Sequence, residues 1–330
     1  MDKRRLGDTD LQLTIIGLGA WAIGGGNWGM GWGGAQEESE SIQTILEALE
    51  EGINWIDTAA GYGYGVAEEV VGKAIKLWGK LVIVATKCGI LPGRQGEPLR
   101  YISSKTIRKE VEAFLKRLEV DMIDLYQIHW PMPDENIEES FETLLNLKEE
   151  GKIRRAGVSN FSVAQLERVS RYGKISSIQP PYSLLERSIE KELLPWCLKN
   201  RAGVIVHSTM QNGLLTGKVN SMWVENLPDN DWRKRKRDDP RMRHVREPFL
   251  TPFMIFIDSL RELAAEGGYS VAQLAVSWVL QNEGVTAAIV GARRKGQIKE
   301  TAKAADWILN EDVLNRVEFA YQCFKMSIED

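Results

Sequence analysis

The sequence predicts an α/β fold in which eight parallel strands close into a (β/α)8 TIM barrel, and three observations carry that prediction. Short runs rich in Ile, Val and Leu alternate with longer amphipathic stretches from about residue 14 almost to the end. Eight such apolar runs can be counted, more than an open sheet of five or six strands would need. The chemically distinctive polar residues sit at the C-terminal ends of those runs, the face on which such barrels assemble their sites. A length of 330 residues suits one barrel with insertions, so a single domain over 1–330 is expected.

In chain order, RRLG and LQLT flank the turn residues DTD, which reads as an N-terminal β-hairpin capping the lower mouth of the barrel. Strands are expected at 14–19, 53–57, 81–86, 122–129, 153–159, 175–179, 203–207 and 286–291, with helices between them such as 104–118, 137–150 and 270–282. Residues 211–250, after the seventh strand, form the longest irregular stretch, and we read this long loop as a lid. GLGAWA at 17–22 matches a dinucleotide fingerprint, with Glu38 near the distance of a ribose-binding acid. The fingerprint requires a helix to open at its third position, and IGGGNWGMGWGG cannot supply one, so the two-domain dinucleotide-binding reading is rejected.

The net charge of −4 provides no field for a nucleic-acid backbone or an anionic membrane, which leaves a small-molecule partner. Cys88, Cys197 and Cys323 are an odd, widely spaced set that fits neither a disulfide framework nor a zinc site. We expect all three to be buried, in a reducing compartment, with no metal bound. The charged start and the lack of an apolar run near 18 residues point to a cytoplasmic protein. The basic run RKRKR at 233–237 lies among Asp229, Asp231, Asp238 and Asp239, so it reads as internally balanced charge. Placed in the lid, one of its arginines can also reach cofactor phosphates. Oligomeric state is not encoded legibly.

Asp57, Lys87, His129, Asn160, Gln179 and His207 each lie at or just past the end of a different strand, so barrel closure would bring them together. Singly, each has an ordinary structural explanation. A lysine immediately after LVIVAT is expensive to bury unless it pairs, and Asp57 is the partner on hand. A paired ammonium beside Tyr62 would lower the phenol's pKa while burial opposes it, and His129 can hydrogen-bond a carbonyl oxygen. Asp57, Tyr62, Lys87 and His129 are therefore the candidate catalytic group.

The stretch Asp57-Thr58-Ala59-Ala60-Gly61-Tyr62-Gly63, with Glu68 and Gly72 following, resembles the D-T-A-x-x-Y-G signature of the aldo-keto reductases. VIVATK, IDLYQIH and GKIRRAGVSNF are similar to the next three signatures of that family, in order and at similar separations, and the likeness runs from RRLG to IVGARRKGQIKE. LLERS and GLLTGK look most like the bacterial general-stress-type reductases and the potassium-channel β subunits. The resemblance implies NADPH/NADP+ as cofactor and a carbonyl compound as substrate. On that template Ser159, Asn160 and Gln179 hold the nicotinamide carboxamide, with Gly19, Ala20, Trp21 and Asp57 also at the cofactor. Ser208, Thr209, Met210, Gly213 and Lys218 match positions along the sugar and pyrophosphate, and Gly291, Arg293, Gln297, Glu300 and Thr301 match the adenosine and 2′-phosphate site.

Two departures stand out. His207 occupies the place where the family stacks Tyr or Trp beneath the nicotinamide, and an imidazole covers less area and can ionise. Thr301 stands where an Asn usually follows the late Glu. Among aromatic residues, Trp21, Trp32 and Trp130 are expected to line the substrate pocket, while Trp28 lies in a glycine-rich, loosely held stretch over 24–34. Arg293, Arg294 and Lys295 follow the last strand at a helix entrance, where free backbone N–H groups favour a phosphate. The leading function is NADPH-dependent carbonyl reduction; the alternative is a slow-turnover, NADPH-binding redox-sensing subunit.

Overall fold

The computed structural model describes residues 1–26, 28–34, 36–236 and 238–329. Its strands are β1 (Lys3–Arg5), β2 (Gln12–Thr14), β3 (Ile16–Gly19), β4 (Trp55–Asp57), β5 (Ile83–Cys88), β6 (Ile90–Pro92), β7 (Pro98–Arg100), β8 (Ile123–Ile128), β9 (Ile153–Ser159), β10 (Ser177–Gln179), β11 (Gly203–Val206) and β12 (Ala287–Gly291). Eight of them close in the order β10-β11-β12-β3-β4-β5-β8-β9 with parallel neighbours throughout. The (β/α)8 barrel read from the alternation is thus the fold, and each expected strand falls within two residues of an observed one.

The larger helices are α1 (Glu38–Glu50), α2 (Val66–Trp78), α3 (Ser104–Leu118) and α4 (Ile137–Glu149), followed by the shorter α5 (Val163–Val169), α6 (Leu193–Asn200) and α7 (Trp232–Arg235). The chain ends with α8 (Leu250–Glu266), α9 (Val271–Gln281), α10 (Gln297–Ala302) and α11 (Glu311–Glu329). Three of these start on reciprocal capping boxes, Ser103 with Thr106, Ser162 with Gln165 and Ser270 with Gln273, which fixes where each crossover turns helical. Their apolar faces cover the strands from outside, while Trp55, Leu125, Ile205, Ala287 and Ile289 fill the inside. Gly17 belongs to that packing: a Cβ there would lie 2.0 Å from Trp55, so only glycine admits the indole.

The β1–β2 hairpin plugs the lower mouth as expected, with Leu6, Leu11 and Leu13 joining the interior cluster. At the end of GLGAWA the chain forms only a short 3₁₀ turn, Trp21–Gly24, which agrees with rejecting the dinucleotide fingerprint. The stretch 211–250 is less irregular than its sequence suggests. It carries the turns Gln211–Thr216 and Pro240–Val245 and helix α7, and it buries Leu214, Leu215, Val219, Trp232 and Met242 against α8 and α11 in a core of its own. A second hairpin, β6–β7, was not foreseen, although the turn residues of LPGRQGEPL signal it. Cys323 is exposed, contrary to the expectation of three buried thiols; Cys88 and Cys197 are buried. No described helix is long and apolar enough to cross a membrane.

Candidate active site

Barrel closure delivers the strand-end residues to one place. Asp57 ends β4, Lys87 is the penultimate residue of β5, and His129 lies one past β8. Ser159 ends β9 with Asn160 next, Gln179 ends β10, and His207 follows β11. The fully buried Lys87 Nζ donates to Asp57 Oδ1 at 2.6 Å, to Thr58 O at 2.9 Å and to Tyr62 Oη at 3.2 Å. Gln179 Nε2 donates to the other oxygen, Asp57 Oδ2, at 2.8 Å. The rings of Tyr62 and His129 meet edge to face with centroids 5.7 Å apart.

Burial and charge set the protonation of this group. Burial opposes the ammonium of Lys87, but Asp57 and Tyr62 outweigh it and its pKa stands above the ordinary lysine value. Tyr62 corrects the sequence-based expectation: burial raises its pKa above the usual phenol value, and the nearby Lys87 only reduces the rise. The phenol is therefore protonated at neutral pH. His129 is held neutral, first by burial and then by the positive charges of Lys87 and Arg100, and its Nδ1 is buried without a partner among the described residues. A protonated phenol backed by an ammonium, next to a neutral imidazole, is an arrangement that can give a proton to an oxygen acquiring negative charge.

A polar band continues from this group toward β12. Ser159 Oγ donates to Gln179 O at 2.8 Å, and Asn160 Nδ2 donates to His129 O at 2.9 Å. Asn160 and Ser208 both adopt left-handed backbone, with φ of 61° and 59°, which turns their side chains sharply at the strand ends. His207 lies within hydrogen-bond distance of Ser208 Oγ (2.9 Å) and Asn160 Oδ1 (3.3 Å). Burial depresses its pKa to about 3, with Lys87 and Arg241 adding to the effect, so the imidazole stays neutral around pH 7. The ionisation that its identity raised as a concern is suppressed by its surroundings. Thr209 is buried and donates to Ile289 O at 3.3 Å, and Met210 packs on the barrel core.

Farther from the barrel centre the expected residues divide. Arg293 is half-buried and makes no ion pair with the described residues, its Nη1 donating to Gly33 O at 2.6 Å and its Nε to Gln36 Oε1 at 3.1 Å. Several of the N–H groups expected to be free before the next helix are already bonded. Gln297 Oε1 accepts from the N–H groups of Arg293 and Arg294, and Glu47 Oε2 accepts from Gly296 N. Buried Thr301 returns its hydroxyl to Gln297 O, Glu300 is exposed, and Gly291 pairs in register with Gly19 beside Ala20. Lys218 lies in a surface groove against Met254, Ile257 and Asp258 of α8.

The glycine-rich stretch, expected to be loosely held, is clasped by the loop after β11. Asp231 Oδ2 accepts from Gly33 N–H at 3.1 Å, Asn230 Oδ1 from Gly34 N–H at 2.8 Å, and Gly31 O from Trp232 N–H at 3.1 Å. Arg233, the first arginine of the basic run, is committed to this clasp rather than free for phosphates. It donates twice to Asp231 and once to Asn212 O, and its guanidinium lies 3.9 Å over the Trp32 ring. Within the run Arg233 and Lys234 pair with Asp231 and Asp229 as the balanced charge pattern implied, whereas Asp238 and Asp239 pair with Arg246 and Arg241 outside it; Arg237 lies outside the described residues.

Trp21 and Trp32 pack into the same clasp, Trp21 stacking on Trp232 with centroids 6.0 Å apart and meeting Trp32 edge-on at 5.7 Å. The indole nearest Tyr62 is instead Trp28, buried with its ring centroid 6.0 Å away. Its glycine-rich setting had concealed it. Trp130 follows His129 at the cleft and lies under the guanidinium of Arg100 at 3.8 Å.

Residues 15–322 match the family model described as the Aldo/keto reductase family. An aldo-keto reductase of Bacillus subtilis (strain 168) is 40% identical over 315 residues, covering 94% of this chain and 91% of the relative. The NADH-specific methylglyoxal reductase of Escherichia coli (strain K12) is 35% identical over 326 residues, covering 94% and 95% respectively. The structure of a glycerol dehydrogenase from Gluconobacter oxydans matches with a TM-score of 0.86 at 38% identity, over 97% of this chain and 94% of that one. With signatures, barrel and relatives in agreement, the chain belongs to the aldo/keto reductase family.

Proposed function

We propose that this chain is a cytoplasmic, NADPH-dependent reductase that converts an aldehyde or ketone to the alcohol. The observation that carries the reading is Lys87, a fully buried ammonium shared between Asp57 and Tyr62 at 2.6 and 3.2 Å. A lysine in that setting is costly to stability, and proton delivery gives it a reason to be there. Bound NADPH would supply the hydride. Tyr62 gives its proton to the carbonyl oxygen as negative charge develops there, and its raised pKa keeps that proton in place at neutral pH. Lys87 stabilises the phenolate left behind, and Asp57, steadied by Gln179, holds Lys87 in position. Neutral His129 donates its single N–H to the same oxygen and fixes the carbonyl's orientation.

The residues present fit the cofactor. Ser159, Asn160 and Gln179, bonded to one another and to Asp57 and His129, would offer amide and hydroxyl groups to a carboxamide, and neutral His207 would offer a face for the ring. Ser208, Thr209, Met210, Gly213 and Lys218 would follow the sugar and pyrophosphate. At the far end, Gly291, Arg293, Gln297, Glu300 and Thr301 would hold the adenosine end. Arg293 supports NADPH over NADH, because a half-buried guanidinium that makes no ion pair with the described residues, although Asp231 and Glu40 are near enough to act on its charge, is suited to a 2′-phosphate. A relative named as NADH-specific makes this the part to measure.

Cofactor oxidation with a panel of small aldehydes and ketones, run with both NADPH and NADH, tests the proposal. The expected result is turnover with kcat/KM about tenfold or more in favour of NADPH, the factor one charge-assisted contact provides. A preference for NADH overturns the cofactor assignment, and no oxidation with any carbonyl overturns the reductase assignment.

A further inference from the structure

Accepting the reductase reading, the mouth of the cleft also says something about the substrate. The β6–β7 hairpin stands over both halves of the candidate catalytic group. Its first strand presses Ile90 onto Gly61, the residue before Tyr62, so closely that a Cβ on Gly61 would lie 2.7 Å from Ile90. Its second strand pairs Arg100 with Ile90 and sets the guanidinium 3.8 Å over the ring of Trp130, the residue after His129. Arg100, exposed at its outer side, is thus set beside the residue that follows His129, close enough for its charge to act on His129.

That charge is uncompensated. Among the described residues the Arg100 guanidinium makes no ion pair and no hydrogen bond. The carboxylate of its own hairpin, Glu97, folds back to accept from Gln95 N–H at 2.9 Å. The other cation within reach, Arg241, repels Arg100 and is itself neutralised by two bonds to Asp239 at 2.8 and 2.7 Å. Stacking on an indole limits the freedom of a guanidinium without using its N–H donors, which leaves the fork able to grip an oxyanion.

We propose that Arg100, seated on Trp130, is a specificity residue that selects carbonyl substrates bearing an anionic group, a carboxylate or a phosphate, beside the carbonyl that is reduced. Methylglyoxal and glycerol, which appear in the names of two relatives, carry no such group, so the inference comes from this chain's own residues.

Matched pairs test it: succinic semialdehyde against butanal, and glyceraldehyde 3-phosphate against glyceraldehyde. The wild-type enzyme should favour the charged member of at least one pair by about tenfold in kcat/KM, mostly through KM, and the pair that shows it tells carboxylate from phosphate. Arg100→Met should bring that ratio close to one, and Arg100→Lys should retain part of it. Succinate or inorganic phosphate should quench tryptophan fluorescence saturably in the wild type and not in Arg100→Met, a readout independent of turnover. Reduction of the neutral members with no charge preference overturns this inference and leaves the reductase reading standing. Equal losses on both members of a pair in Arg100→Met also overturn it, since Arg100 would then support only the fold. No turnover with any of the four carbonyls overturns both.

Discussion

Asp57 and Asp231 are both carboxylates out of contact with solvent and paired with one cation, yet the deeper setting of Asp57 and the richer set of donors at Asp231 push them in opposite directions. Asp231 accepts four hydrogen bonds, two from the Arg233 side chain and one each from the backbone N–H groups of Arg233 and Gly33. Burial raises its pKa, but these donors outweigh burial and hold the carboxyl below its ordinary value. Asp57 accepts only two, from Lys87 and Gln179, and burial wins, pushing its pKa up. The difference separates a fastener from a working group. The clasp across the loops is electrostatically complete, whereas the pair at the strand ends keeps Lys87 partly committed to Tyr62 at some cost in stability.

The largest test of this contrast is Lys87→Met. It should lower stability by about 3–5 kcal/mol, the range for one partner lost from a buried pair, and reduce kcat by at least about a hundredfold. The loss should grow with pH. Without Lys87, burial alone raises the folded-state pKa of Asp57, so its protonated form is accommodated at low pH and the penalty builds as pH rises through that value. Urea melts at pH 5.5 and 8 check the sign, and a larger loss at the lower pH would contradict the account. Asp231→Ala is the smaller counterpart. It strands Arg233 on Trp32 and Asn212 O and should cost about 2 kcal/mol, while kcat at saturating substrate and cofactor changes by less than about threefold. If Asp231→Ala depressed kcat as strongly as Lys87→Met, the two carboxylates would not differ in kind.

The two regions also differ in how far the sequence reveals them. The strand-end group was legible because barrel topology dictates where each strand's last residue goes, so Asp57, Lys87 and His129 converge once the alternation is recognised. The clasp was not, because Asp231 and Gly33 are joined across the chain by loop conformations that composition does not determine. Trp28 is a similar case: its glycine neighbours suggest looseness, whereas its indole is buried against Tyr62 and Tyr64 and bonded to Gly25 O. The pKa direction of Tyr62 depended on whether burial or Lys87 prevails, which only the packed geometry decides. Arg100 went unnoticed because nothing local marks a charge as unpaired; that is a property of what surrounds it.

The most direct test of the central claim, that the strand-end group delivers a proton to a carbonyl through Tyr62, is the kinetics of Tyr62→Phe. This change removes one oxygen and leaves Lys87 paired with Asp57. The account predicts a fall in kcat of roughly 10²–10⁴-fold for whichever aldehyde or ketone turns over best, with the NADPH dissociation constant within about twofold of wild type. A variant that keeps more than about a tenth of the wild-type kcat would contradict it.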